Sequence, residues 1–95
     1  MSYFFVMQFG WDPEKNKWLA ENRAITFEEI ICLIDEGFLR AILKHPKRQN
    51  QKIFVIEREG YAFNVPFVEE HDGTCFLKTI YPSRASTRKY IGDKK

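Results

Sequence analysis

The chain has 95 residues, and its 15 lysines and arginines against 13 acidic residues leave a formal charge of +2. That length fits a single domain over residues 1–95 and excludes a multidomain enzyme. With 44% hydrophobic and 16% aromatic residues, the composition excludes a disordered or fibrous chain and predicts a packed core. A total charge of +2 by itself predicts no nucleic-acid partner, since it does not say where the charges lie.

The ends and the two cysteines predict a cytoplasmic protein. The first basic residue, Lys15, follows the apolar residues 3–9, whereas a signal peptide has its positive region first. No stretch approaches the ~20 apolar residues that span a bilayer, so we expect no membrane contact. A secreted domain of this size usually carries more than two cysteines. Cys32 and Cys75 both lie among apolar residues, and we predict that they are reduced core thiols.

In chain order, residues 3–9 predict a strand or an extended arm, and residues 12–23 predict a helix on the surface. Asp12 is a suitable N-cap, and Pro13 suits the first turn, where its missing N–H is not needed. The expected apolar anchors of this helix are Trp11, Trp18 and Leu19.

The second predicted helix begins at Thr26, which has Glu29 three residues later and therefore fits a capping box. Ile25 and Ile30 are placed as a hydrophobic staple, and Gly37 supplies the stop. The apolar residues that recur at helical spacing, and so predict packing on the core, are Phe27, Ile30, Ile31 and Ile34.

The second half of the chain predicts strands. Residues 38–43 form the first of them, and residues 53–56 are apolar on both faces, which is typical of a central strand. In residues 61–68 the alternation of Tyr61, Phe63, Val65 and Phe67 predicts one shared face, while Pro66 predicts an edge or a bulge. The tight turns are expected at Glu59–Gly60 and Asp72–Gly73.

A further strand, over residues 75–81, precedes a short helix from Ser83 to about Ile91, with Ser83 as its cap. The predicted class is α+β, with two N-terminal helices, a four-stranded antiparallel meander and a short C-terminal helix.

The charges divide unevenly along the chain. Residues 1–37 hold three basic and seven acidic residues, or −4, and residues 38–95 hold twelve basic and six acidic residues, or +6. The basic residues form two groups. One surrounds the first loop of the sheet and comprises Lys44, Lys47, Arg48 and Lys52; the other comprises Lys78, Arg84, Arg88, Lys89, Lys94 and Lys95.

A regular helix places Arg84, Thr87 and Arg88 on one face, where two guanidinium groups and a hydroxyl suit a phosphate. Lys78 and Tyr81 on the preceding strand are expected to project towards the same region. The alternative is that these charges are only a solvated, solubilising surface.

Other residues are weaker candidates for a functional role. His45 suits a general acid or base, but a lone histidine at a strand end is more often a solvent-facing turn residue, which is our expectation. Residues 69–72 (EEHD) are expected to be a solvated turn and not a metal site, because adjacent residues on a hairpin tip rarely converge on one ion. Trp11 and Trp18 suit base stacking, although anchoring of the first helix is the expected use.

Three segments occur in an order that resembles a known family: residues 11–15 (WDPEK), 25–29 (ITFEE) and 82–88 (PSRASTR). They resemble the BrnT toxins of bacterial type II toxin–antitoxin systems, which carry W-D-x-x-K, then K-H-G-V-S-F-E-E, then A-R-x-A-T-x-x-E. Matched to those motifs, Lys15 is the lysine of the first, and Arg84, Thr87 and Arg88 are the arginine, threonine and following basic residue of the last.

The resemblance implies a RelE-like fold and a metal-independent endoribonuclease, without a cofactor, that arrests translation. It also implies an antitoxin partner with a ribbon–helix–helix DNA-binding domain. The chain departs from the family at Arg23, where relatives have histidine, and at Tyr90, where they often have glutamate. If that histidine or glutamate carries a proton in relatives, this chain either uses another group or is a weak or inactive relative. The candidates for the other group are Tyr81, Tyr90, Lys78 and His45.

The predicted catalytic residues are therefore Arg84, Arg88, Thr87, Lys78 and Tyr81, and the predicted RNA-binding residues are Lys44, Arg48, Lys52 and Lys89. The alternative function is a catalytically inactive RNA- or protein-binding module of the same fold.

Overall fold

The structure is a computed structural model, which describes residues 8–92. Its elements are β1 (Gln8–Trp11), α1 (Pro13–Arg23), α2 (Phe27–Asp35), β2 (Leu39–Lys44), β3 (Gln51–Arg58), β4 (Tyr61–Glu69), β5 (Thr74–Leu77), β6 (Tyr81–Pro82) and α3 (Arg84–Ser86), which continues as a π-helical turn, Thr87–Ile91. The α+β class is as predicted. The part of the predicted N-terminal strand before Gln8 lies outside the described residues.

The two N-terminal helices begin and end as their caps predict. The Asp12 carboxylate accepts from the N–H of Glu14 at 3.0 Å, and the Thr26 hydroxyl accepts from the N–H of Glu29 at 3.2 Å. The Glu29 carboxylate, however, binds Arg58 of β3 at 2.6 Å. The Thr26 half of the capping box therefore forms, whereas the Glu29 carboxylate instead links α2 to the sheet.

The sheet is mixed, in the order β1-β5-β4-β3-β2, with β6 beside β4. Strands β2 to β5 form the predicted antiparallel meander. Two further strands correct that prediction: β1 pairs with β5 in parallel, and the predicted strand 75–81 divides into β5 and β6. The parallel pair joins residues 8–11 to 74–77, which are far apart in the sequence, so no local pattern indicates it.

Pro66 predicted an edge or a bulge, and the edge is wrong, since β4 is flanked by β3 on one side and by β5 and β6 on the other. Beside Pro66, residues 65–66 of β4 face residues 78–80, which is the residue count of a bulge. The carbonyl of Pro66 accepts from the N–H of Lys78 at 2.8 Å. Because the amide nitrogen and carbonyl of a strand residue point to the same side, the missing donor of Pro66 also faces this gap between β5 and β6. A proline is tolerated in the centre of the sheet because the ladder is interrupted beside it.

The helices α1 and α2 cover one face of the sheet, which we call the helix face. The rings of Phe54 and Phe67 stack there at 3.9 Å, and Trp11 of β1 packs on Phe27 of α2 at 5.7 Å between ring centroids. The fully buried residues of this core include Leu19, Phe27, Ile30, Ile34, Phe54, Ile56, Val65, Leu77 and Ile80.

Two predicted core residues are exposed. Trp18 of α1 is 41% exposed, although it was expected to anchor the helix, and only Leu19 beside it is buried. Cys32 is also exposed, so the prediction of two core thiols holds for Cys75 alone. Each residue is apolar in its sequence context but lies on the outer side of its helix.

The other face of the sheet is covered by α3 and the π-helical turn, which contact β4. Val55 and Ala62 are fully buried there, and Asn64 is 8% exposed. The predicted helix over residues 83–91 keeps α-helical geometry only for Arg84–Ser86, capped as expected by the Ser83 hydroxyl on the N–H of Ser86 at 3.0 Å. We call this side of the sheet the C-terminal face.

Candidate functional site

A cleft of about 320 Å³ opens on the C-terminal face, where the loop between β2 and β3 meets the break between β5 and β6. Its lining residues are His45, Arg48, Gln51, Pro66, Lys78, Thr79 and Tyr81. Within the described part of the chain, no carboxylate lines this cleft, and neither Arg48 nor Lys78 forms an ion pair. The cleft therefore presents two uncompensated cations, an imidazole and a phenol.

The break between β5 and β6 gives one wall of the cleft its shape. Strand β5 ends with Leu77 opposite Phe67, and β6 begins with Tyr81 opposite Asn64, so residues 78–80 lie outside the ladder. Lys78 is held in this segment by the bond from its N–H to Pro66, and its exposed ammonium lies 5.4 Å from the Phe76 ring. The interruption that accommodates Pro66 thus also places Lys78 and Tyr81 at the cleft.

Arg23 supports the same wall from the end of α1. Its guanidinium donates to the carbonyl of Ile80, between Lys78 and Tyr81 in the chain, and lies 5.0 Å from the Trp18 ring. The Ile80 side chain is fully buried. Arg23, which replaces the histidine of the resembled family, therefore acts on the cleft segment as a positioning residue and does not line the cleft.

His45 forms the opposite wall, at the start of the loop after β2. Its Nδ1 accepts from the N–H groups of Lys47 at 3.1 Å and Arg48 at 3.2 Å. The residue shapes the turn, as expected, but its ring is half-buried and lines the cleft instead of facing open solvent.

A second depression of about 320 Å³ is lined by Tyr61, Arg84, Thr87, Arg88 and Gly92. The predicted face of Arg84, Thr87 and Arg88 is therefore assembled, with both arginines exposed. The Thr87 hydroxyl has a different use from the one expected. It donates to the carbonyl of Ser83 at 2.7 Å and accepts from the N–H of Ala62 at 2.8 Å. Because a hydroxyl has one hydrogen, none is left for a phosphate in this arrangement.

The five predicted catalytic residues thus separate into two neighbouring sites. Lys78 and Tyr81 line the cleft, and Arg84, Thr87 and Arg88 line the second depression. Arg84 is three positions after Tyr81 in the chain, so their Cα atoms lie within about 11 Å of each other. Both sites therefore flank one short segment, β6 and the start of α3.

The four predicted RNA-binding residues do not share one surface. Arg48 lines the cleft, whereas Lys44 and Lys52 are register partners at the ends of β2 and β3. Lys52 lies opposite Phe67 of the core, which places both lysines on the helix face, and it forms an ion pair with Glu69 at 3.2 Å. Lys89 belongs to the π-helical turn, with its ammonium 5.5 Å from the Tyr90 ring.

The remaining candidate residues do not contribute to the cleft or to the second depression. Asp72 accepts from the N–H of Thr74 at 2.9 Å, a bond that lowers the pKa of its carboxyl group, so it is part of the hairpin turn. Over residues 8–92, no group of three histidine, cysteine, aspartate or glutamate side chains is arranged to hold a metal ion. The exposed ring of Trp18 has the Lys15 ammonium 4.5 Å from its centroid.

The architecture is that of a small α+β domain with a mixed sheet. It is similar to a solved structure described as the 1.1 Å-resolution crystal structure of the Brucella abortus ribonuclease toxin, BrnT. The two share 16% sequence identity with a TM-score of 0.62, over 82% of this chain and 97% of that one. The chain therefore has a BrnT-like fold, which confirms the resemblance at the level of structure. The sequence matches no protein-family model and no curated protein.

Among the described helices, none has the length and apolar character needed to cross a membrane.

The sequence predicts Arg48, Lys78 and Tyr81 as functional residues in different groups, but it does not predict that His45 joins them. The available signal was the position of His45 directly before Pro46, at the base of the basic loop. Their convergence depends on the break beside Pro66, which only the strand register shows.

Proposed function

We propose that this chain is the toxin of a bacterial toxin–antitoxin system and acts in the cytoplasm as a metal-independent endoribonuclease. The observation that carries the proposal is the cleft, in which Arg48 and Lys78 are uncompensated cations beside Tyr81 and His45. A cationic pocket with hydrogen-bond donors suits the charge that develops on phosphate during cleavage. The BrnT-like fold supports the same activity, since the similar structure is that of a ribonuclease toxin.

The proposed reaction is transesterification within RNA. The 2′-hydroxyl loses its proton to solvent and attacks the adjacent phosphorus, and the bond from phosphorus to the 5′-oxygen breaks. The products are a 2′,3′-cyclic phosphate and a 5′-hydroxyl end. Arg48 and Lys78 stabilise the negative charge on the phosphate oxygens, and the Tyr81 phenol gives its proton to the leaving 5′-oxygen and regains one from water.

The second depression binds a neighbouring phosphate of the same strand in this proposal. Arg84 and Arg88 are exposed, lie within one turn of each other and flank the same segment as Tyr81. Thr87 contributes by fixing this turn to β4, because its hydroxyl accepts from the N–H of Ala62 while it donates to the carbonyl of Ser83. The arginines are therefore expected to strengthen substrate binding, while the cleft residues act on the reacting phosphate.

The proposed partner is an antitoxin with a ribbon–helix–helix DNA-binding domain. Residues 1–37 carry a charge of −4 and residues 38–95 a charge of +6. The acidic half is suited to a basic segment of the antitoxin, and the basic half to RNA.

The test is cleavage of a single-stranded RNA in the presence of EDTA by the wild type and three double variants. Arg48→Ala/Lys78→Ala is expected to reduce kcat by about 10²-fold or more. Arg84→Ala/Arg88→Ala is expected mainly to raise KM. Lys44→Ala/Lys52→Ala removes the same charge from the helix face and is expected to cleave as the wild type does.

Expression in bacteria provides the second readout. The wild type should arrest growth, and both the cleft variant and Arg84→Ala/Arg88→Ala should relieve the arrest. Wild-type protein that binds RNA in a salt-dependent way yet releases no product would favour the inactive binding module instead. Equal growth of all strains would also contradict a toxin.

A further inference from the structure

The imidazole of His45 is held in one tautomer by the loop that follows it. Its Nδ1 accepts from two backbone N–H groups, those of Lys47 and Arg48, at 3.1 and 3.2 Å. A neutral imidazole has one N–H and one acceptor nitrogen. Because Nδ1 is the acceptor here, the proton of the neutral ring lies on Nε2.

The same contacts leave one ring nitrogen for other partners. Nδ1 is bound by the backbone of the loop, so Nε2–H is the hydrogen-bonding group of His45 that the loop does not use, and the residue lines the cleft. In this tautomer Nε2 has no free lone pair. A proton taken up by the ring has to go to Nδ1, where it displaces both backbone bonds.

We propose that His45 is a fixed hydrogen-bond donor to the substrate phosphate, through Nε2–H, and is not the base that takes the 2′-hydroxyl proton. The proposal rests on the proposed ribonuclease function. It makes His45 the third donor of the cleft, beside the guanidinium of Arg48 and the ammonium of Lys78. The two backbone bonds pre-orient this donor, so no reorganisation is needed when charge develops on the phosphate.

The tautomer is measured by long-range proton–nitrogen correlation NMR of the wild-type protein at alkaline pH, where imidazoles are neutral. We expect a protonated Nε2 and an unprotonated Nδ1 for His45, with the Nε2 resonance shifting when inorganic phosphate is added. His71, exposed on the β4–β5 hairpin, is the internal control and should not respond to phosphate. A protonated Nδ1, or a His45 signal that phosphate leaves unchanged, would overturn the proposal.

Two substitutions of His45 test separately its role in the turn and its role as a hydrogen-bond donor. In His45→Asn the amide oxygen can replace Nδ1 as acceptor for the loop, but nothing occupies the place of Nε2. We expect this variant to keep the thermal midpoint of the wild type and the KM for RNA, with kcat lowered by about 10²-fold. In His45→Gln the amide nitrogen reaches towards the place of Nε2 without capping the loop. This variant should retain more of kcat and lose thermal stability.

The outcomes are distinct from those for the proposed function. Full kcat in His45→Asn would overturn the donor role while leaving a ribonuclease in place. A wild-type protein that cleaves no RNA would defeat the proposed function, and the tautomer and phosphate measurements would still decide what His45 does.

Discussion

At the scale of single residues, the Thr87 hydroxyl donates and accepts hydrogen bonds within the fold. It joins the N–H of Ala62 in β4 to the carbonyl of Ser83 before α3. Thr87→Val keeps the shape of the side chain but leaves the N–H of Ala62 without its partner. We expect the free energy of unfolding to fall by about 1–3 kcal/mol, measured by urea denaturation.

Thr87→Ser is the matched control, because it keeps the hydroxyl and loses one methyl group. Its cost should be about 0.8 kcal/mol. If the valine variant were as stable as the wild type but bound RNA more weakly, the hydroxyl would belong to the RNA site and not to the fold.

The two cysteines differ in reactivity for a physical reason. Cys75 is buried in the core, and burial, together with the Glu69 carboxylate, raises the pKa of its thiol. Cys32 lies on the exposed side of α2. Since the thiolate is the reactive form, we expect iodoacetamide to alkylate Cys32 in the folded protein and Cys75 only after unfolding. Peptide mass spectrometry distinguishes the two sites, and alkylation of Cys75 at the same rate would contradict its placement.

At the scale of elements, the end of α2 is fixed by backbone geometry. Gly37 has φ +96°, its N–H binds the carbonyl of Ile34, and the N–H of Phe38 binds that of Leu33. This is a Schellman motif. A Cβ at Gly37 would meet no atom within 4 Å, so Gly37→Ala tests the backbone alone. We expect a loss of about 1–2 kcal/mol, measured by urea denaturation.

Gly10→Ala is the control for that prediction. Gly10 lies in β1 without a positive φ, and its added Cβ would make ordinary contacts with Phe76 and Thr74 at 3.5 and 3.6 Å. Its effect should stay within about 0.5 kcal/mol. Similar losses in both variants would show that the cost at Gly37 does not arise from its φ angle.

The elements also show which parts of the fold and site are visible in the sequence. The caps at Asp12, Thr26 and Ser83 and the stop at Gly37 depend on a few neighbouring residues, and all four form as predicted. The pairing of β1 with β5 and the central position of Pro66 depend on distant partners, and both escaped prediction.

In the cleft, as in the fold, contacts between residues far apart in the sequence are not predicted. Arg48, Lys78 and Tyr81 were identified by residue type, but their meeting with His45 follows from the gap beside Pro66. The helical period likewise predicted the face of Arg84 and Arg88 yet missed the hydrogen bonds of Thr87, because those bonds reach across to β4.

At the scale of the whole molecule, the formal net charge of +2 does not show that two pairs of basic residues lie in different surroundings. Arg48 and Lys78 lie together at the cleft without an acidic neighbour in its lining. Lys44 and Lys52 lie on the helix face, where Lys52 is paired with Glu69. If RNA binding follows local geometry and not net charge, Arg48 and Lys78 should contribute to the salt dependence of affinity, as Arg84 and Arg88 do, whereas Lys44 and Lys52 should not.

This is tested by fluorescence anisotropy with a 2′-O-methyl single-stranded RNA, which cannot be cleaved, over a series of salt concentrations. Each lost phosphate contact lowers the magnitude of the slope of log K against log salt by about 0.7 for a single strand. Arg48→Ala/Lys78→Ala should therefore lower it by about 1.4, whereas Lys44→Ala/Lys52→Ala, with the same change in charge, should leave it unchanged. Equal changes in the two variants would mean that affinity follows net charge, and that the cleft is not where RNA binds.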